Sequence, residues 1–333
     1  MAKNLNLPVQ ADKLKLYRDY QYGRSDVYRR KNVLGQPKPW TDDYYLKHYK
    51  FTNVHRKNDR ESQFLLETVC ENPGLSLEDK AMNCALFRCI NNEAGCSWLP
   101  EWPIRMAHAT SADIDWEFFK KVEAGLKGEG KVETRQSNAY FLSMVVLEAY
   151  KNAPELRGYT LARFKLIMDN KDKILAALKA ESAEEAVETL KTIKGFGEFI
   201  AYQIWEDWTY CPEYKFTDND YVNCGPGAIQ GIDWLIGNCE IFVDEIGKKR
   251  VKYNLNRWSQ QDYNDWIRNF TTNIQSIMSD NDLEFKPEEI LDYMKEPHDR
   301  IWSLGTCQNS FCEFNKLNKL MNGVAMRIRK YEG

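Results

Sequence analysis

Residues 191–208, KTIKGFGEFIAYQIWEDW, place two glycines one residue apart between two stretches with the patterning of helices. Apolar residues recur at helical spacing after the second glycine, which predicts an amphipathic helix. Gly195 and Gly197 can adopt a positive φ and carry no side chain, so the N–H groups that begin this helix could approach a phosphate. The pattern therefore predicts a helix-hairpin-helix, a motif that contacts the DNA backbone.

Two lysines flank the glycines and strengthen the case for a phosphate contact. Lys191 and Lys194 would bring positive charge to the turn. Ser182 precedes Glu185 by three residues, which is the pattern of a capping box, so the motif is expected to cover 183–208. An ordinary corner between two helices, with glycine as its C-cap, is the alternative.

The remainder of the chain also has mostly helical patterning. Apolar side chains keep helical spacing through 262–279, and Ser76 precedes another apolar run as an N-cap. Pro287 and Pro297 bracket a further short helix. The stretch 240–253 alternates apolar and polar residues, which predicts a β-hairpin. We therefore predict an all-α fold with one small β-hairpin.

Length and composition indicate how the chain is organised. It has 333 residues, of which 43% are hydrophobic and 29% are charged, which is enough for a sizeable core in one large domain or in two lobes. Residues 1–35 are polar and rich in arginine, lysine and tyrosine, which predicts an arm lying over a single all-α domain at 36–333. The net charge of −3 predicts that any nucleic-acid surface is a local basic patch.

Nine cysteines and four histidines bear on metal binding and on the cellular compartment. The cysteine spacings match neither a zinc ribbon nor a four-cysteine iron–sulfur run, so we predict no metal site. Cysteines without a signal peptide predict free thiols in a reducing cytoplasm. The longest apolar-rich run, at 139–150, is too short to span a bilayer, so no membrane association is expected.

Residues 125–132, GLKGEGKV, nearly match a phosphate-binding P-loop. Val132 occupies the place of the Mg²⁺-binding serine or threonine, and the preceding residues predict an amphipathic helix rather than a buried strand. We therefore predict a charged loop here. The chain is not expected to be a nucleotide-dependent kinase itself.

Two carboxylates and a Gly-Pro-Gly segment follow the predicted helix-hairpin-helix, in EYKFTDNDYVNCGPGAIQG at 213–231. This arrangement resembles the helix-hairpin-helix DNA glycosylases, in which an aspartate beyond the hairpin lies in the pocket for an extruded base. The resemblance implies that either Asp218 or Asp220 takes this place. Lyase-type members carry a nucleophilic lysine where this chain has Phe199, so Schiff-base chemistry is not expected from that position.

The stretch GQPKPWTDDYYLKHYKFTNVHRKNDRESQFLL at 35–66 narrows the resemblance. It is similar to a bacteriophage thymine-hypermodification family, the α-glutamyl/putrescinyl thymine pyrophosphorylases or amino acid:DNA transferases. This family shares a helical domain with the 5-hydroxymethyluracil DNA kinases. The matching positions are Pro39-Trp40-Thr41-Asp42, Phe51-Thr52-Asn53, Arg56, Asp59-Arg60, and Gly225-Pro226-Gly227-Ala228 with Gly231.

The resemblance implies an enzyme that acts on double-stranded DNA in which pyrophosphorylated 5-hydroxymethyluracil replaces thymine. An amine from an amino acid or a polyamine would displace the pyrophosphate and form a carbon–nitrogen bond at the 5-methylene carbon. The reaction would take place in the cytoplasm of an infected bacterial host. The alternatives are a glycosylase that excises a modified base, and a non-catalytic DNA-binding partner of the kinase.

The pyrophosphate leaving group carries several negative charges and needs cationic donors or Mg²⁺. Arg56 and Arg60 lie four apart on a presumed helix, so they would point the same way. Asn53 and Asp59 could hold these guanidinium groups or contact the base edge, with Trp40 beside them as a substrate-binding residue. Pairing of the arginines with neighbouring carboxylates on a solvated face is the alternative.

The attacking amine must be neutral, and a carboxylate beside it can take up its proton. Asp218 and Asp220 are predicted as the catalytic residues for this step. Their D-x-D spacing would also allow them to hold Mg²⁺ on the pyrophosphate, although the sequence requires no cofactor. Capping of the next segment is the third alternative.

A flipped base would stack on aromatic side chains near these motifs. Tyr221 is also predicted to lie in a loop near the site, together with Gly225 and Gly227. The stacking candidates are Trp40, Trp98, Trp102 and Tyr221.

Overall fold

The computed structural model describes residues 9–97, 99, 101–128, 148–150, 159–286, 289, 292 and 302–331. The chain forms two compact units: unit 1 joins residues 1–59 to 222–333, and unit 2 consists of residues 60–221. Both units are built from helices, and the described residues contain one two-stranded sheet. The predicted all-α class with a small β-hairpin is confirmed.

The described helices, helical turns and strands have the following bounds. Two π-helical turns occur at Arg29–Val33 and Leu66–Cys70, and a 3₁₀ turn occurs at Arg56–Asn58. The strands are β1 (Cys239–Val243) and β2 (Lys249–Tyr253). The helices are α1 (Ala11–Tyr28), α2 (Tyr44–His48), α3 (Arg60–Leu65), α4 (Leu77–Ile90), α5 (Glu93–Ser97), α6 (Trp116–Gly128), α7 (Tyr159–Asp169), α8 (Lys171–Lys179), α9 (Ala183–Lys191), α10 (Glu198–Trp208), α11 (Pro226–Ile236), α12 (Gln260–Ser279) and α13 (Leu304–Met321).

The N-terminal segment, expected as a polar arm at 1–35, contains helix α1, which has one buried face. Helix α1 places Leu14 and Tyr17 in the core of unit 1. The Tyr17 ring stacks on Phe311 with 4.7 Å between the ring centroids. Apolar and aromatic residues three apart give this polar segment a face that packs inward. Residues 36–333, expected as a single domain, contribute to both units.

The Gly-Pro-Gly segment begins a helix, which differs from the loop predicted there. Gly225 is the N-cap of α11, and Pro226 takes the first helical position, where a missing N–H is tolerated. Gly227 and Gly231 face α13: a Cβ atom at Gly231 would lie 2.1 Å from the carbonyl oxygen of Phe311. These two glycines therefore let α11 and α13 pack closely within unit 1.

Helix α4 forms the centre of unit 2, where α7, α8 and α10 pack around it. Ser76 caps the helix by accepting a hydrogen bond from the main-chain N of Asp79 at 3.1 Å, as the sequence predicts. A buried ion pair joins Arg88 of α4 to Asp207 of α10. Each of these two buried charges is thus paired with the other.

The other predicted elements of unit 1 are present with small differences in their bounds. Strands β1 and β2 form the antiparallel hairpin that the sequence predicts at 240–253. The helix predicted at 262–279 is α12, which starts two residues earlier behind a capping box formed by Ser259 and Asp262. Capping and periodicity were sufficient to locate both elements.

Some predictions fall outside the described residues, namely the helix between Pro287 and Pro297, and the aromatic Trp98. The charged loop predicted at 125–132 falls there in part, and its first residues, Gly125–Gly128, belong to helix α6. In the described part of the chain, no helix combines the length and the apolar character needed to cross a membrane.

Candidate anion-binding site

A cleft of about 420 Å³ in unit 1 is lined by basic and aromatic side chains. Its walls come from α1, from the segments on either side of α2, and from the C-terminal end of the chain. That end is held in place by main-chain hydrogen bonds from Lys50 N to Arg329 O (2.9 Å) and from Tyr331 N to His48 O (3.0 Å). The lining residues are Arg24, Lys31, Lys38, Trp40, Lys50, Phe51 and Tyr331.

A second cleft, of about 330 Å³, shares Lys38, Trp40 and Tyr331 with the first. Trp40 therefore stands where the two clefts adjoin, and its Nε1 donates a hydrogen bond to the carbonyl of Gln36 at 2.7 Å. The other residues that line the second cleft are Pro39, Thr41, Leu46, Lys47 and His48.

Positive charge is concentrated around Trp40. The Nζ atoms of Lys31 and Lys38 lie 5.3 and 5.8 Å from the centroid of its ring. Burial lowers the pKa of Lys31, and the positive charges of Arg24, Lys50 and Lys38 lower it further. No carboxylate is among the described residues that line this cleft. An anion bound there would relieve the mutual repulsion of the four cations.

Arg24 is the most firmly held cation of the cleft, with only 7% of its surface exposed. Its Nε donates to the carbonyl of Thr52 at 3.0 Å, and its Nη2 donates to the carbonyl of Phe51 at 3.2 Å and to Oδ1 of Asn53. Its buried Nη1 has no hydrogen-bond partner among the described residues. A fixed guanidinium with an unused donor nitrogen is well suited to a phosphate oxygen.

Asn53 connects Arg24 to Asp59. Its Nδ2 donates to Oδ1 of Asp59 at 2.9 Å, and its main-chain N donates to the same oxygen at 3.0 Å. Burial raises the pKa of Asp59 to about 6, although the hydrogen bond from Asn53 N and the charges of Arg24 and Arg56 act in the opposite direction. A carboxyl group with such a pKa can take up and release protons near neutral pH.

Arg56 and Arg60 do not share the helical face that the sequence predicts. Arg56 is buried at the start of the 3₁₀ turn in unit 1, whereas Arg60 begins α3 in unit 2 with 78% of its side chain exposed. Asp59 between them has an extended backbone, with φ −74° and ψ 141°, which separates the turn from the helix. Arg60 pairs with Glu61 at 2.5 Å, which is the solvated pairing weighed as the alternative.

The two predicted catalytic aspartates have different surroundings in unit 2. Asp220 is exposed, and its Oδ2 accepts hydrogen bonds from N and Oγ1 of Thr217 at 2.6 and 3.0 Å. This contact closes a turn with the residues that precede Asp220, so it differs from the predicted capping of the next segment. Asp218, by contrast, is buried. Of the pair, Asp218 is therefore the stronger catalytic candidate.

Helices α9 and α10 are joined by a tight turn in which the two glycines differ. Gly195 has a φ of 100°, a conformation that favours glycine. Gly197 is the N-cap of α10, with a φ of −79° and a ψ of 175°, which any residue can adopt. A Cβ atom at Gly197 would meet nothing within 4 Å. The backbone therefore requires Gly195, whereas Gly197 keeps the start of α10 free of a side chain.

The two predicted DNA-binding lysines also differ. The Nζ of Lys191 lies 2.7 Å from a carboxylate oxygen of Glu188 and 3.5 Å from one of Glu198, which offset its charge. Lys194 is exposed and forms no ion pair with the described residues. Lys194 is therefore the stronger candidate for a phosphate contact, and DNA binding by the turn stays a prediction.

Gly197→Leu is expected to weaken DNA binding severalfold for all sequences alike, because phosphate contacts position a protein without reading bases. The slope of log affinity against log salt should fall by about 0.9 for one lost contact. Fluorescence anisotropy with two unrelated duplexes over a salt series measures both quantities. Gly125→Leu is the control, because a side chain there also enters open space. If Gly197→Leu and Gly125→Leu bind DNA with equal affinity, the turn does not contact DNA and has a structural role only.

The predicted stacking residues are distributed over both units. Trp40 lines the clefts of unit 1, whereas Trp102 and Tyr221 pack on the core of unit 2. Trp102 is parallel to Phe64, with 6.1 Å between the ring centroids and 11° between the planes. Tyr221 meets the edge of Trp205 at 5.7 Å. Trp40 is therefore the best placed of these residues to contact a ligand in a cleft.

The fold and the cleft define a helical protein with a cationic, aromatic pocket in one of its two units. More specifically, residues 12–325 match the family described as "5-hmdU DNA kinase, helical domain", and the chain belongs to this family. The 5-hmdU DNA kinase of Bacillus phage SP10 is 26% identical over 261 residues, which is 70% of this chain and 39% of that kinase. No solved structure matches the chain.

Proposed function

We propose that the chain acts in the modification of 5-hydroxymethyluracil in phage DNA and transfers an amine onto the pyrophosphorylated base. Membership of the helical-domain family supports the choice of base. The observation that carries the proposal is the cationic, aromatic cleft of unit 1. Val132, in the place of the P-loop serine or threonine, argues against synthesis of the pyrophosphate by residues 125–132.

The pyrophosphate leaving group would bind in the cleft. Its bond to carbon breaks more readily when cations stabilise the charge that develops on its oxygens. Arg24 offers a fixed guanidinium, and Lys31 and Lys50 offer ammonium groups on flexible stems. The ring of Trp40 could stack on the base that carries the leaving group.

In the reaction, the nitrogen of a neutral amine attacks the 5-methylene carbon of the base. The carbon–oxygen bond to the pyrophosphate breaks, and its electron pair leaves with the pyrophosphate. The proton that the amine loses passes to a carboxylate, and the glycosidic bond stays intact. Each event is a substitution at carbon or a proton transfer, so no oxidant or reductant is needed.

We assign the proton transfer to Asp59. It belongs to the unit that contains the cleft, and Asn53 links it to Arg24 by hydrogen bonds. Its pKa of about 6 leaves it ionised, and therefore able to accept a proton, at neutral pH. Asp218 is the competing carboxylate, because it is buried and the resemblance to glycosylases implies an aspartate at that place.

A DNA-binding module without chemistry of its own is the second candidate function. The description of the family favours it, because this family is the helical domain of a kinase and the match covers 39% of the phage SP10 enzyme. Such a module would present the modified base to a kinase. The cleft would then bind the DNA backbone or the phosphorylated product.

Incubation of pyrophosphorylated DNA with a panel of amines, followed by mass spectrometry of the nucleosides, tests the proposal. We expect an amine-linked nucleoside and release of pyrophosphate. The double variant Lys31→Gln/Lys50→Gln should form little of this product, whereas Lys252→Gln, on the exposed hairpin, should be fully active. If the DNA is bound but unchanged, the chain is a binding module without chemistry of its own. Abasic sites would indicate a glycosylase.

A further inference from the structure

Three cysteines from distant parts of the sequence meet in the core of unit 2. Cys70 ends the second π-helical turn, Cys84 lies in α4, and Cys211 follows α10. Their Sγ atoms all lie within 4.8 Å of one another, and those of Cys70 and Cys84 are 3.9 Å apart. All three side chains are buried. We refer to these residues as the cysteine cluster.

We propose that the cysteine cluster binds a thiophilic metal ion, Zn²⁺ or Cu⁺, through three thiolates. Thiolates are the ligands that select these ions among the common biological metals. A Zn–S bond of about 2.3 Å places the sulfur atoms of a tetrahedral site about 3.8 Å apart, close to the separation of Cys70 and Cys84. On binding, the three thiols release their protons to solvent, and no electron is transferred.

The other buried cysteines show how an isolated thiol behaves in this protein. Cys89 and Cys96 lie outside the cluster, and burial raises the pKa of both thiols. At Cys211, hydrogen bonds from Cys70 and Cys84 lower the pKa, and the charge of Lys80 lowers it further. Within the cluster, a hydrogen bond to Cys211 raises the pKa of Cys70 and burial raises that of Cys84, so what distinguishes these three cysteines from the isolated ones is that their Sγ atoms lie together.

A buried ammonium group acts on Cys211 of the cluster. The side chain of Lys80 is only 1% exposed, and its Nζ contacts both carboxylate oxygens of Glu213, at 2.8 and 2.9 Å. Three thiolates and one Zn²⁺ leave a net charge of −1, which would attract the ammonium group of Lys80 in competition with Glu213. The carbonyl oxygen of Asp207, 3.8 Å from Sγ of Cys70, is a neutral oxygen donor close to the cluster.

Metal analysis of the purified chain tests the proposal. The protein is reduced, loaded with Zn²⁺ or, without oxygen, with Cu⁺, and then dialysed against a weak chelator. We expect about one ion per chain to be retained, with Zn²⁺ and Cu⁺ loading compared to identify the preferred ion. Replacement of Zn²⁺ by Co²⁺ should produce thiolate-to-metal absorption bands, a readout that does not depend on enzymatic activity.

Helix α4 provides a matched pair of variants, because Cys84 and Cys89 are both fully buried on it. Cys84→Ala should lose the ion, and Cys89→Ala should keep it although it removes the same volume. Circular dichroism checks that both variants fold. If the folded wild-type chain retains neither ion, or if Cys84→Ala retains as much as Cys89→Ala, the proposal is overturned.

Discussion

Arg88→Met is expected to lower the free energy of unfolding by about 3–5 kcal/mol, because it leaves the carboxylate of Asp207 buried without its ionic partner. The side chain of Arg88 is 2% exposed and that of Asp207 is 0% exposed, so water cannot replace the lost contact. The variant also removes the hydrogen bond from Nη1 of Arg88 to Oδ1 of Asn91, at 2.8 Å. Urea unfolding followed by circular dichroism measures the loss.

Arg60→Met is the matched control in the same unit. It also removes an ion pair, with Glu61, but 78% of the Arg60 side chain is exposed to solvent. Its effect should be below about 1 kcal/mol. The double variant Arg88→Met/Asp207→Leu should recover most of the stability, because no buried charge is then left alone. If Arg88→Met and Arg60→Met unfold at the same urea concentration, the buried pair does not stabilise unit 2 in this way.

Local patterns were sufficient to predict the elements whose signals are contained in a few consecutive residues. The cap at Ser76, helix α12 and the β-hairpin all follow from capping residues and from periodicities of 3.6 and 2. The same is true of the turn at Gly195, where the positive φ explains the glycine. Such signals act within one or two turns of chain, so tertiary packing only reinforces them.

The length of the chain allows two lobes, but the residues that form each unit could not be predicted, because unit 1 joins two segments separated by the whole of unit 2. Helix α1 is polar overall, and the partners of Tyr17, such as Phe311, lie near the other end of the chain. Sequence periodicity also failed over a shorter distance, because it placed Arg56 and Arg60 on one helix. A single extended residue, Asp59, separates a turn from a helix that periodicity had treated as continuous.

The cleft and the cysteine cluster were missed for a related reason. Trp40 was predicted, but Arg24, Lys31, Lys38 and Lys50 come from separate segments that only folding brings together. Interleaved lysines and aromatic residues between positions 31 and 51 were the available signal. The sequence contains no such signal for the cysteine cluster, because known metal-binding spacings describe ligands that are close in sequence.

Asp59→Asn is expected to lower turnover in the amine-transfer assay by about 10²–10⁴-fold, the usual range for loss of a general base. Asparagine keeps an oxygen that can accept the hydrogen bonds from Asn53, so the fold and DNA binding should be preserved. Single-turnover kinetics with a fixed amine measures the rate of the chemical step. Higher pH should partly rescue the variant, because more of the free amine is then neutral.

The pH dependence gives a second readout of Asp59. Burial raises its pKa from 3.8 to about 6 in the folded chain, so the wild-type rate should rise with pH through this value as the base becomes ionised. For the same reason, folding is favoured while the group is protonated, and this contribution is lost as the pH rises from 3.8 to 6. A shift of this size amounts to about 3 kcal/mol. Asp59→Asn should lack both effects.

Asp218→Asn and Asp220→Asn complete the comparison, because they distinguish the competing carboxylates. Asp220 is exposed and closes a turn with Thr217, so its variant should retain nearly full turnover. If Asp218→Asn loses turnover while Asp59→Asn is fully active with an unchanged pH profile, Asp218 is the base and the assignment to Asp59 is wrong. Restoration of Asp218→Asn by higher Mg²⁺ would instead indicate a metal-binding role for that carboxylate.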